Sequence, residues 1–338
     1  MPAQIFGLDI GRSFIKICQV KVSGNKKVLV AAGFKQTSPG GILSESSVDL
    51  KSLSEAIRTC AQEAKVTTGR CVISLIESQV VIRLIQLPNL TDKELSAAIN
   101  WEAEQYIPLP IKDVNLQFKV ISRPINNEGK MDVLLVAAPK RVVAKYIKVV
   151  KDAGFIVESL ETESTALTRA LTSTADPTTI IISLGALTTE LVIAKGGNVL
   201  FTRSIATGGV NLTRAIMGEF NLPLNQAEQY KQTYGILEDK LSGKLAGVVK
   251  PILDILIAEI LKAVEFAHGH VRDSQVSRIV VCGGGAFLPG ISGFLTEKTS
   301  LEVSLGDPWV AFAKENLILK LPGQGPVYAV ATGLALRR

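Results

Sequence analysis

The chain has little histidine, no clustered cysteine and no long uninterrupted apolar run. Only two histidines occur in 338 residues, which argues against a zinc centre built from Cys and His. The four cysteines, Cys18, Cys60, Cys71 and Cys282, stand far apart with no Cys-x-x-Cys spacing. Cys18 and Cys282 fall inside strand-like apolar runs and are expected to be buried thiols; such usage fits a reducing compartment. No run of five or more like charges occurs, although 37 basic residues exceed 31 acidic ones and leave a net charge of +6. Scattered in this way, the charges read as a solvated surface and not as a nucleic-acid patch. The first residues carry no basic stretch ahead of a long apolar run, so no signal peptide is expected. The most apolar long segment, residues 251–268, is interrupted by Asp254, Glu259, Lys262 and Glu265. Its Leu253, Ile257, Ile260, Leu261 and Val264 keep helical spacing, which predicts an amphipathic core helix and no membrane span. His268 and His270, two residues apart, point to different helix faces and do not read as a metal pair. Walker A, Gly-x-Ser-x-Gly and His-Glu-x-x-His patterns are all missing, which removes P-loop, esterase-type and zincin chemistry.

What the sequence does contain is one supersecondary plan written twice. Residues 5–10 read as a buried strand ending at Gly11. Strands follow at 14–22 and 27–35 around the turn Ser23-Gly24-Asn25, then a helix over about 48–65. The second half repeats this: a strand at 179–184 ending at Gly185, strands at 190–195 and 199–206 around Gly196-Gly197-Asn198, then a helix over about 209–220. The copies lie about 170 residues apart, which marks an internal duplication. In each, glycine sits in the tight turn joining the first two strands, where backbone N–H groups can converge on an anion without a side chain in the way. Two such turns across a cleft would form a phosphate clamp. A third cluster follows the strand predicted at 278–282: Gly283-Gly284-Gly285-Ala286-Phe287-Leu288-Pro289-Gly290, leading into a helix over 291–298.

These three segments resemble the phosphate-1, phosphate-2 and adenosine motifs of the actin/hexokinase/chaperone ATPase superfamily. Within it, the stretch from Glu94 to Phe118, Ala137-Ala138-Pro139-Lys140 and the tail from Tyr328 to Arg338 are similar to the PilM family of type IV pilus assembly proteins. The resemblance implies an α/β, actin-like (duplicated RNase H-like) fold with two domains around a nucleotide cleft. It places subdomain 1A at 1–85, resumed at 154–177, an inserted α+β subdomain 1C at 86–153, a second domain at 178–325 and a closing helix at 326–338. It also implies ATP and Mg²⁺ as ligands.

Carried over position by position, Asp9 would hold Mg²⁺ through water, Gly11 would shape the first turn, and Lys16 would reach towards the phosphates. Arg12 stands where the superfamily has Ser or Thr, with Ser13 beside it. Gly185, Thr188 and Thr189 match the second turn, but Ser183 replaces its usual aspartate. A neutral hydroxyl cannot serve there as an electrostatic partner of the metal, so weak ATPase activity at most is expected. Gly208 and Gly209 match a further phosphate-side turn ahead of a helix N-terminus. Glu228 and Lys231 match the ribose and adenine side; as bare chemistry they form a solvated i,i+3 pair. Gly283, Gly284, Gly285 and Phe287 would border the adenosine.

In the inserted piece, Thr91 or Asp92 is expected to cap a helix ending near Tyr106. Strands are expected at 114–121 and 131–137 around Asn126-Asn127-Glu128-Gly129, then a helix over about 140–153. Trp101, Tyr106, Ile107 and Leu109 read as core. The resemblance offers the other reading, a groove for the N-terminal cytoplasmic peptide of a PilN-like inner-membrane protein. It implies a cytoplasmic chain, peripheral at the inner membrane through that partner, beside other pilus platform components, without nucleic acid, serving twitching motility. Two alternatives stand beside it. An FtsA-like cell-division protein would carry a linker and membrane-targeting helix, which the ending after the closing helix does not lead one to expect. A small-molecule kinase would need an acidic base and further substrate-binding insertions.

Overall fold

The computed structural model describes residues 4–24, 26–38, 40–124, 129–270, 275–313, 320–321 and 323–337. The turn residue Asn25, the loop residues Asn126 to Glu128, the His270 side chain and Arg338 lie outside the described set. In chain order come β1 (Phe6–Ile10), β2 (Phe14–Ser23), β3 (Lys26–Gln36), α1 (Ser47–Glu63), β4 (Arg70–Leu75) and β5 (Val81–Pro88). Then follow α2 (Asp92–Glu104), β6 (Val114–Ser122), β7 (Lys130–Pro139), α3 (Lys140–Asp152), β8 (Ile156–Thr162) and α4 (Glu163–Leu171). The second half contributes β9 (Thr179–Leu184), β10 (Thr189–Lys195), β11 (Asn198–Ile205), α5 (Gly209–Phe220), α6 (Leu224–Tyr234) and α7 (Lys244–His270). It ends with β12 (Arg278–Cys282), α8 (Ile291–Thr299), β13 (Glu302–Leu305) and α9 (Ala329–Ala335).

The duplication holds at the level of topology. One five-stranded sheet runs β3-β2-β1-β4-β8 and the other β11-β10-β9-β12-β13. In each, an antiparallel meander of three strands is extended by two strands parallel to its first. Continuous apolar runs such as Thr179–Leu184, buried on both faces, are what a sheet covered by helices on each side requires. Each sheet has its own core: Ile15, Ile17, Ile73 and Tyr146 in the first half, Ile180, Ile182, Leu191 and Ile260 in the second. Between the sheets, α4 and α9 share an apolar cluster with residues of both, among them Val72, Ile181, Leu167 and Leu334. The closeness depends on Gly333, where a Cβ would run into the Ala166 backbone.

The third sheet, β5-β7-β6, is antiparallel and packs with α2 around Leu95, Ile99, Met131 and Val133. The start of α2 is a capping box: Glu94 N–H donates to the Thr91 hydroxyl, and Thr91 N–H donates to the Glu94 carboxylate at 2.8 Å. Thr91, not Asp92, is the cap. Helix α7 begins seven residues before Pro251, so the proline lies inside it and not at its start. Its apolar face is buried in the second core as expected, and no helix among the described residues is long and apolar enough to cross a membrane. All four cysteines are buried and unpaired, and burial pushes the thiols of Cys18 and Cys282 up to about 12.

Candidate functional site

The two glycine turns are built alike. Gly11 N–H donates to the Phe14 carbonyl at 3.1 Å, and Gly185 N–H donates to the Thr188 carbonyl at 3.0 Å. A Cβ at either glycine would come within 2.7 Å of that same carbonyl oxygen, so each turn closes only without a side chain. The register makes the equivalence complete. Asp9 lies directly opposite Lys16 on β1 and β2, and Ser183 directly opposite Glu190 on β9 and β10.

In the first turn, Lys16 Nζ contacts the Asp9 carboxylate at 2.8 Å, with Asp9 almost fully buried. Lys16 is therefore held on Asp9. Thr37 supports the turn by donating its hydroxyl to the Gly11 carbonyl at 2.9 Å. Arg12 is exposed and Ser13 half-buried. In the second turn, Gly209 and Val210 N–H donate to the carbonyls of Gly185 and Ala186 at 3.0 and 2.9 Å. The start of α5 is thus pinned to the turn, and its first two N–H groups are already used. Gly208 N–H donates to the Asn211 side chain, and the buried Thr189 hydroxyl donates to the Thr207 carbonyl at 2.7 Å. Thr188 remains half-buried.

Glu228 and Lys231 are not a solvated pair. Lys231 Nζ donates to Glu228 at 2.7 Å, to the Thr213 hydroxyl at 2.8 Å and to the Gly209 carbonyl at 3.2 Å. Burial raises the Glu228 carboxyl, but the bonds from Lys231 and Thr213 outweigh it and leave it below the usual range. The pair thus ties α6 to the N-terminus of α5. The triple glycine lies against the end of β9. Gly283 has φ 78°, its N–H donates to the Pro326 carbonyl, and a Cβ there would stand 2.6 Å from the Leu184 carbonyl oxygen. Gly285 packs on the Leu184 side chain, Gly284 faces open space, and Phe287 is largely exposed. The second turn, the α5–α6 polar network and the glycine loop therefore meet around the carboxyl end of β9.

Sequence reasoning missed three carboxyls at the junction of the halves: Glu77, in a 3-10 turn after β4, and Glu190, both buried, and Glu163, the half-buried first residue of α4. Glu77 N–H donates to Glu163 at 3.4 Å, and Ser164 N–H donates back to Glu77 at 3.3 Å. Burial, then the charges of Asp9, Glu190 and Glu77, holds the Glu163 carboxyl well above the usual range, with Lys16 only partly offsetting them. Glu190 accepts the Ser204 hydroxyl at 2.8 Å; burial and then Glu77 push it up to about 7. One oxygen each of Glu77 and Glu190 is buried without a hydrogen-bond partner. The only signal for Glu163 is an acid in the first turn of a helix, which suits the helix dipole anywhere.

The aromatic set in the inserted piece does not stay together in the core. Ile107 is buried, whereas Trp101 is 77% exposed and Tyr106 and Leu109 are about two-fifths exposed, so the core reading fails for Trp101. Among the described residues, no three Asp, Glu, His or Cys side chains are grouped to hold a metal.

Comparison with known proteins agrees with this architecture. The family model described as type IV pilus assembly protein PilM matches residues 7–338. The solved PilM-PilN type IV pilus biogenesis complex contains a chain 31% identical to this one, similar at TM-score 0.85 over 100% of this chain and 99% of that chain. The ethanolamine utilization protein EutJ of Salmonella typhimurium is 26% identical over 152 residues. That match spans 45% of this chain and about half the relative's length, 48%. MreB 5 of Spiroplasma citri bound to AMPPNP is similar at TM-score 0.53 and 14% identity over 98% of this chain and 95% of that chain, a likeness of fold alone. The fold is actin-like: two duplicated α/β halves with an inserted three-stranded piece.

Proposed function

The chain belongs to the PilM family of type IV pilus assembly proteins, and from that premise we propose that it binds ATP with Mg²⁺ between its two glycine turns and, so loaded, docks the N-terminal peptide of a PilN-like membrane protein. The observation that carries the nucleotide reading is the pair of matched turns, each closed by the same backbone bond. MreB 5, of like fold, holds AMPPNP.

The residues present fit such a ligand. Asp9 is a single buried carboxylate, suited to a magnesium ion that keeps most of its water, and bound Mg²⁺ would neutralise phosphate charge. Lys16 sits beside Gly11 and can exchange its Asp9 contact for a phosphate oxygen. Arg12, Ser13 and Thr188 offer donors at the turn mouths, while Thr189, Gly208 and Gly209 hold the second turn in shape. Glu228, Lys231, Gly283, Gly284, Gly285 and Phe287 border the adenosine side. Turnover is slow or absent, because Ser183 adds no charge at the place where the second turn would need a partner for the metal. The partner peptide would lie along Trp101, Tyr106 and Leu109, with Ile107 beneath them. The chain would reach the inner membrane from the cytoplasm through that partner.

Calorimetric titration with Mg-ATP tests the site. Binding should weaken more than about tenfold in Asp9→Ala, with no phosphate release above background in either protein. Unchanged affinity in the variant, or metal-dependent release by the wild type, would refute it. Co-purification with a PilN-like partner should be lost when that partner's first residues are deleted.

A further inference from the structure

The outward face of α3 is used neither by the core nor by the nucleotide cleft. The helix, KRVVAKYIKVVKD, carries five basic side chains against one acid, Asp152. Val142, Tyr146, Val149 and Val150 are buried in the first-half core. Lys140, Arg141, Ile147, Lys148 and Lys151 are exposed, and their spacing puts them on one stripe. Lys145 pairs with Glu45 and Lys148 with Asp152, both on the surface. Among the described residues no carboxylate lies within ion-pair distance of Lys140, Arg141 or Lys151, although Arg141 also acts from further off on Glu45, the partner of Lys145. Arg58 of α1 adds a further guanidinium at the helix's last carbonyls, donating to Asp152 and Ala153. The charge is therefore segregated and not scattered. Helix α2 has the opposite character, with Asp92, Glu94, Glu102 and Glu104 against Lys93.

Ile147 lies within the basic stripe, 39% exposed, and Ile156 stands 59% exposed just beyond the helix. We propose that this face of α3 rests directly on an anionic lipid surface, its cations among the headgroups and the two isoleucines at their edge. The stripe has no aromatic or amide side chain to read or stack on bases, and its exposed isoleucines suit a lipid headgroup layer better than a phosphate backbone. Because the apolar side of α3 is committed to the core, attachment is electrostatic, weak and salt-sensitive. Contact of α3 with lipid requires neither nucleotide nor partner peptide, so either can fail alone.

The test is flotation of the full chain with vesicles of phosphatidylglycerol and phosphatidylcholine, against phosphatidylcholine alone, without nucleotide or partner. The chain should float only with the anionic vesicles, and at ~50 mM but not ~500 mM salt. Lys140→Gln, Arg141→Gln and Lys151→Gln together should lower binding roughly 100-fold, about fivefold per residue. A control triple, Lys93→Gln, Lys262→Gln and Lys298→Gln, removes the same charge elsewhere and should change it severalfold at most. Equal binding to neutral vesicles, or equal losses in the two triples, would overturn the proposal. So would duplex DNA at matched phosphate concentration binding as tightly and losing affinity in the α3 triple.

Discussion

The turns at Gly11 and Gly185 share a backbone and differ in nearly every side chain that could do chemistry. Two positions before each glycine stand Asp9 and Ser183, and five after it stand Lys16 and Glu190. The first turn is braced by a buried ion pair, whereas the second holds a hydroxyl opposite a carboxyl with one unpartnered oxygen. Hard-sphere contact is what the duplication has kept, because a carbonyl at van der Waals limit tolerates no replacement for glycine. The facing side chains differ: Asp9 and Lys16 form an ion pair at the first turn, and Ser183 and Glu190 do not at the second.

If the turns are sterically equivalent, alanine should be equally harmful in both. Gly11→Ala and Gly185→Ala each push a Cβ to 2.7 Å from a backbone oxygen and should each cost about 2–3 kcal/mol in urea denaturation. Gly283→Ala adds a left-handed φ to a 2.6 Å contact and should cost somewhat more, about 3 kcal/mol. A large loss at one turn and none at the other would break the equivalence.

Next in size is the acid that has replaced the lysine. Glu190 has a folded-state value of about 7, above its ordinary 4.5, so between these pH values the folded chain binds more protons than the unfolded one. Stability contributed by this group should then fall as pH rises through that window, by on the order of 2–3 kcal/mol. Its carboxyl faces Glu77 and lies near Glu163, so these three groups share the titration. Glu190→Gln should flatten the pH profile of the urea midpoint between about pH 4.5 and 7. A profile with the wild-type slope would show that the second-half acid is not strained.

In the first half the expected sign is the opposite. Asp9→Asn leaves Lys16 mostly buried without its carboxylate and should cost about 2 kcal/mol, discounted for the lysine's partial exposure. Ser183→Asp places a second carboxyl opposite Glu190, and it too should destabilise. Adding Glu190→Gln to Ser183→Asp should recover the loss, whereas adding it to Asp9→Asn should not. Thermal denaturation of the wild type, the three single variants and the two doubles decides this, and additive losses throughout would dissolve the contrast.

Much of this contrast was legible beforehand, and the reason is local. Apolar runs broken by glycine announce both turns and their flanking strands, and Ser183 is visible as soon as the copies are aligned. The elements β4, β5, β8 and α4 were not anticipated. They bring Glu77 and Glu163 to the junction, and burial of an acid depends on packing between distant segments, which no local pattern encodes. Lys231 is similar: its neighbours on α6 suggest a solvated pair, but Thr213 and the Gly209 carbonyl come from α5. Trp101 shows the converse, an aromatic that composition sends to the core and the helix leaves in solvent. The α3 stripe escapes a search for runs of like charge, because its cations are interleaved with apolar residues and gather only on the folded helix.

The smallest expected effect separates the turns by how their glycine carbonyls are satisfied. The Gly11 carbonyl accepts a side-chain hydroxyl, from Thr37, while the Gly185 carbonyl accepts a backbone N–H, from Gly209. Side-chain substitution can therefore loosen only the first. Thr37→Val keeps the shape and the backbone bond from Thr37 N–H to the Ser13 carbonyl, but removes the hydroxyl. The cost should be about 1 kcal/mol, seen as roughly fivefold faster amide exchange at Gly11 with none at Gly185. An equal acceleration at both glycines would mean that the turns open as one cooperative unit. Exchange confined to Gly11 would mean that the first turn, which carries Asp9 and Lys16, can yield while the second stays fixed to α5.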